Sequence, residues 1–126
     1  MARVLIVDDD RGVRRVLRKL FERNGYIAVE AESGGEALAV IRGEQPPDAI
    51  VCDVMMPGMS GLEFYERLAD EAPSLGRRTV FLSGSSSVAA VHHAIERLGV
   101  PLLAKLNDLQ LVVDAVRLSL AQAEQG

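Results

Sequence analysis

Short apolar runs alternate along this chain with longer stretches in which apolar residues recur every three or four positions. Val4–Val7 is an unbroken apolar run and reads as a strand. After it, the spacing of Val13, Val16, Leu17, Leu20 and Phe21 predicts a helix over Asp10–Asn24, with Gly25 suited to a left-handed stop. Tyr26–Ala31 reads as a weaker strand, and Glu36–Arg42 as part of a short helix closed by Gly43 and Pro46-Pro47. Ala49–Cys52 is a buried strand. Ser60–Ala72 is a helix whose apolar positions are Leu62, Phe64, Tyr65 and Leu68, with Pro73 as its stop. The pattern then predicts a strand at Thr79–Leu82, a fourth helix over Ser86–Leu98 stopped by Gly99, a strand at Leu102–Ala104 and a fifth helix over Asp108–Ala123. The polar tail Gln122–Gly126 is expected to fray.

Strands without polar alternation are expected where helices cover both faces of a parallel sheet. The fold class is therefore α/β, with five parallel strands alternating with five helices. Ligands of such folds sit beyond the carboxyl ends of the strands, where the strand order reverses. No repeat, low-complexity tract or linker interrupts the pattern, so residues 1–126 are expected to form one domain.

Composition narrows the function. A net charge of -4, without clustered Lys and Arg at the level a polyanion requires, argues against direct nucleic-acid or anionic-membrane binding. The one cysteine, Cys52, lies in an apolar run and cannot form an internal disulfide. No apolar run approaches membrane-spanning length, and Met1-Ala2-Arg3 leads directly into a strand. The expectation is a cytoplasmic protein.

Polar residues close the strands in a fixed order: Asp8-Asp9, Asp53, Ser83 and Lys105. On a parallel sheet they would converge at one edge, a composition suited to a divalent cation and a phosphoryl group. Adjacent carboxylates repel unless a cation compensates, and hard oxygen ligands suit Mg²⁺, with Mn²⁺ as an alternative. Asp10 is expected simply to cap the following helix. Taken alone, Asp53 reads as a turn residue, Ser83 as a cap and Lys105 as a solvated charge.

The stretch Asp53-Val54-Met55-Met56-Pro57-Gly58-Met59-Ser60-Gly61 changes that weighting. It closely resembles the phosphoacceptor loop of receiver (response-regulator) domains of two-component signalling, and the resemblance extends over essentially the whole chain. It implies a flavodoxin-like doubly wound (βα)5 fold. Asp53 would be the nucleophile that accepts a phosphoryl group from a phosphohistidine. Asp9 would ligate Mg²⁺ directly and Asp8 through water, with Asp53 and the backbone carbonyl of Met55 completing the protein ligands. The Ser83 hydroxyl would bond the phosphoryl oxygen, Gly84 would leave the site open, and Lys105 would pair with Asp53 and then with the phosphoryl group. The implied partners are a sensor histidine kinase or histidine phosphotransfer protein, and a downstream protein or a second copy of the chain. The output surface would combine the fourth helix, fifth strand and fifth helix.

Two positions depart from the family pattern. Leu106 follows Lys105 where proline is usual, so the Lys105–Leu106 bond is either trans with a rearranged loop or a costly cis bond. Leu102 stands where Tyr or Phe often acts as a rotating switch, so only a repacking version of that switch is open to it. Leu98–Lys105 is more similar to receivers attached to hybrid sensor kinases. A pseudo-receiver that binds without phosphorylation is the main alternative. Asp8-Asp9-Asp10-Arg11-Gly12-Val13 also loosely suits a haloacid-dehalogenase-like phosphatase, which would leave the Met-Met-Pro stretch unexplained. His92-His93 reads as a solvated helix face, and Met55, Met56 and Met59 as packing around the acceptor loop. Ala89, Ala90, Val91 and Ala94 read as a small-residue surface, mostly core.

Overall fold

The computed structural model describes residues 1–84, 89–105 and 108–125. Its strands are β1 (Arg3–Val7), β2 (Ile27–Ala31), β3 (Ala49–Asp53), β4 (Thr79–Ser83) and β5 (Leu102–Ala104). Its helices are α1 (Arg11–Arg23), α2 (Gly34–Ile41), α3 (Gly61–Glu71), α4 (Pro73–Gly76), α5 (Ala89–Glu96) and α6 (Gln110–Gln125). All strand pairs are parallel, in the order β2-β1-β3-β4-β5. The order reverses between β1 and β3, which places a crevice at their carboxyl ends.

Strict alternation along each strand divides the core in two. Leu5, Val7, Ile50, Cys52 and Phe81 face α2, α3 and α5, packing with Leu38, Phe64, Leu68 and Ile95. Val4, Ile6, Val51, Val80 and Leu82 face α1 and α6, packing with Leu17, Phe21, Val112, Val113 and Val116. This is the two-sided burial that the unbroken apolar strands require.

Local chemistry sets the element ends. Asp10 caps α1, its Oδ1 accepting from Gly12 N at 2.8 Å and Val13 N at 3.2 Å. Gly25 follows α1 at φ +87° and Gly99 follows α5 at φ +75°, the left-handed stops that glycine tolerates. Ser33 caps α2 by accepting from Glu36 N at 3.1 Å, so this helix begins at Gly34, two residues before the apolar spacing becomes readable.

Three expectations are corrected here. Pro73 does not merely stop a helix: it opens the one-turn α4, a place where its missing N–H is no loss. The last helix does not end at Ala123, because α6 continues to Gln125. In α5 only Ile95 is buried, while Ala89 and Ala90 are exposed, so its small-residue surface is not mostly core. The first residues of the expected fourth helix, the serines of 85–87 and the Lys105–Leu106 bond lie outside the described residues.

Candidate functional site

The strand register brings the polar strand ends together. Val7 pairs with Cys52, so Asp8 and Asp53 each follow at the same edge of adjoining strands. Asp53 pairs with Leu82, which sets Ser83 one residue further on, and Ser83 pairs with Ala104, directly before Lys105. Lys105 N donates to Ser83 O at 3.0 Å, tying those two positions through the backbone.

Asp8 and Asp53 are buried, at 1% and 3% exposure, whereas Asp9 is exposed. One carboxylate oxygen from each of the three lies within 4.8 Å of the others. Lys105 Nζ bridges the two buried acids, 2.9 Å from Asp8 Oδ2 and 3.0 Å from Asp53 Oδ2. Asp8 Oδ1 accepts from Asp10 N at 2.9 Å, and Arg14 Nη1 donates to the Asp8 carbonyl at 2.7 Å. Asp8 Oδ2 has the ammonium as its charge partner but no aligned hydrogen-bond donor. Among the described residues Asp53 Oδ1 has only a long contact from Met55 N, at 3.4 Å. Three carboxylates thus face one ammonium, with oxygen lone pairs left over. That donor set fits a hard divalent cation.

The electrostatics follow. Burial raises the Asp53 carboxyl to about 6; Lys105 opposes the rise and the Asp8 charge adds to it. Burial also pulls the Lys105 ammonium down, but Asp8 and Asp53 together outweigh it and hold the group above its ordinary value. Lys105 therefore stays cationic at neutral pH, and a proton can reside on Asp53 only in mildly acidic solution. Burial raises the Cys52 thiol well above its usual range, so it is an inert thiol beside the site.

Glycines shape the loop after β3. A Cβ on Gly61 would lie 2.3 Å from the Asp53 carbonyl oxygen and 3.0 Å from Val54 Cα, so α3 can start against the end of β3 only with glycine there. Gly58 turns the loop at φ +79°. Met56 is buried and Met59 packs against the core, but Met55 is 46% exposed and does not pack around the loop as expected. Among the described residues, chain neighbours aside, no atom lies within 4 Å of where a Cβ on Gly84 would be, and Leu102 packs against the α2–α3–α5 core.

Two residues enter the site that sequence reasoning missed. Arg14 reads as one more cation of α1, yet it is buried and joins the Asp8 backbone to Glu30, at 3.1 Å. His92 is not a solvated residue: its Nε2 lies 2.7 Å from Ser83 Oγ, while His93 is exposed. The three-residue spacing from Arg14 to Leu17, and on to Phe21, could have suggested an inward Arg14; no local pattern pointed to His92.

Comparison with known proteins gives a consistent picture. The sequence profile of the response regulator receiver domain matches residues 4–117. Response regulator MprA of Mycolicibacterium vanbaalenii is 47% identical over 76 residues, covering 58% of this chain and 32% of that protein. The protein of the same name from Mycobacterium ulcerans matches to the same extent. The match thus spans about a third of the length of these relatives. Among solved structures, a response regulator receiver domain protein from Clostridium thermocellum superposes with TM-score 0.88 at 20% identity, covering 99% of this chain and 98% of that one. A response regulator receiver protein from Pseudomonas putida superposes with TM-score 0.84 at 25% identity, over 92% and 95% of the two chains.

Proposed function

We propose that Asp53 is the phosphoacceptor of this chain, which belongs to the response regulator receiver domain family of two-component signalling. The observation that carries the reading is the meeting of Asp8, Asp9, Asp53 and Lys105 at one sheet edge. Asp53 attacks the phosphorus of a phosphohistidine; the P–N bond breaks, an aspartyl phosphate forms, and the imidazole takes up a proton. Lys105 already holds Oδ2 at 3.0 Å, so Oδ1 keeps the freer lone pairs. Asp8, Asp9, Asp53 and the Met55 carbonyl would hold Mg²⁺, which supplies charge neutralisation for an incoming anion. After transfer, Lys105 and the Ser83 hydroxyl hold the phosphoryl oxygens. Gly84 leaves their approach open and Leu102 repacks behind them.

The chain then works as a switch rather than as a turnover enzyme: contacts to the new dianion differ between the two states and shift the population. The 126 residues act as one cytoplasmic receiver domain; no helix among the described residues is long and apolar enough to cross a membrane. Its partners are a sensor histidine kinase or histidine phosphotransfer protein and a downstream protein reading the α5–β5–α6 surface, with self-association as another output. Incubation with radiolabelled acetyl phosphate tests the core of this reading. Label should appear only with Mg²⁺, be released by hydroxylamine, and vanish in Asp53→Asn. Undiminished label in that variant would remove Asp53 from its role.

A further inference from the structure

Ser83, the last residue of β4, is buried, and its hydroxyl does not turn to the carboxylates. Among the described residues its partners are His92 Nε2 at 2.7 Å and the Gly84 carbonyl at 3.2 Å, with neither Asp53 nor Lys105 in reach. A hydroxyl has one proton to donate and two lone pairs. The shorter contact is the one to the imidazole, and it crosses from the sheet edge to a different element, α5. That helix is lightly held, with Ile95 as its one buried residue. Leu102 offers no polar side-chain group, so among the described residues this hydrogen bond is the polar link between the acidic pocket and α5.

We propose that His92 is a positioning residue that latches the Ser83 hydroxyl to α5 and so holds it back from the group that forms on Asp53. The inference rests on the reading of Asp53 as acceptor. To reach a phosphoryl oxygen on Asp53 the Ser83 hydroxyl must swing away from His92, whichever of the two carries the proton between them. The latch opposes the phosphorylated conformation, and its release frees α5 on the output side. The chemical event is an exchange of one hydrogen bond for another, with no covalent step beyond the phosphoryl transfer itself.

The test is a titration with beryllofluoride in Mg²⁺, followed by amide signals of β3, β4 and β5. His92→Ala should bind the phosphoryl mimic about fivefold more tightly than the parent, the factor to which one net hydrogen bond corresponds. His92→Gln, which returns an amide group near the Nε2 position, should lie close to the parent. In a Ser83→Ala background, His92→Ala should change nothing. Unchanged or weaker binding in His92→Ala, an equal gain in His92→Gln, or the same gain without the serine hydroxyl would each overturn the latch alone. Failure of the parent chain itself to bind beryllofluoride would overturn the acceptor reading and the latch with it.

Discussion

Replacing Asp53 by asparagine should make the metal-free protein more stable at neutral pH, although it removes the proposed acceptor. Asp53 is 3% exposed, and its carboxyl is raised from an ordinary 3.8 to about 6. The folded state therefore keeps the proton more tightly than the unfolded chain. Below pH 4 both states are protonated and the site costs nothing by this route. As pH rises from about 4 to about 6 the unfolded chain releases its proton first, so stability falls, and the full penalty is present above that window. A difference of about two pKa units corresponds to roughly 3 kcal/mol. Asparagine has similar shape and no charge, so it should recover up to that amount at pH 7.5 and almost none at pH 3.5. Urea unfolding of parent and variant at both pH values, in EDTA, measures it. Adding Mg²⁺ should narrow the gap at pH 7.5, because the parent alone keeps all three carboxylates and gains binding free energy. A variant that is less stable at pH 7.5, or a gain of equal size at both pH values, would refute the idea that Asp53 is held charged against its environment.

The same geometry makes three other outcomes measurable. Lys105→Met strips the shared ammonium from two buried acids, and should cost about 2 kcal/mol or more in EDTA at pH 7.5, with Mg²⁺ restoring much of it in parallel urea melts. Gly61→Ala drives a methyl group into the Asp53 and Val54 backbone. It should lower stability by about 1–3 kcal/mol and weaken Mg²⁺ binding, both readable from a denaturant midpoint and a calorimetric titration. Arg14→Met releases the Asp8 carbonyl, held at 2.7 Å, and should weaken Mg²⁺ binding by about tenfold; unchanged affinity would show that the arginine only fills space.

The strands and their order of polar ends were readable because period-two burial on both faces leaves no polar gap in a strand, as Val4–Val7 and Ala49–Cys52 show. The caps were readable where one side chain decides them, as at Asp10. Legibility failed wherever the deciding contact is distant in sequence. Gly34 looks like a helix breaker until Met59 is seen against it: a Cβ there would lie 2.6 Å from the Met59 sulfur. Arg14 on α1 reaches Glu30 on β2 as well as the Asp8 backbone, and His92 on α5 reaches Ser83 at the end of β4. Pro73 was ambiguous for a local reason, since proline both ends one helix and suits the first turn of the next. The approach of Asp8, Asp9 and Asp53 followed from their places at the carboxyl ends of parallel strands; the bridging of two of them by Lys105 is a matter of side-chain reach.

The site is built from two halves of unequal firmness, and this decides where a change at Asp53 can travel. Asp8 and Asp53 extend from β1 and β3, each of which has a neighbour on both sides. Val7 and Cys52 before them are buried, and Arg14 and the α1 cap fix the Asp8 backbone from behind. Ser83 and Lys105 lie on the other side. Lys105 follows β5, an edge strand of three residues that are half-buried or exposed, and Ser83 is bonded to a helix with one buried side chain. Elements with little buried apolar surface open at the lowest free energy. A new charged group between the halves therefore meets least resistance toward β5 and α5. Because Lys105 N is bonded to Ser83 O, the two residues move as one backbone unit when either is drawn in. On the proposed reading a leucine at position 102 leaves this route open, because the loose anchoring of β5 and α5, rather than a rotating aromatic ring, would set the direction of displacement.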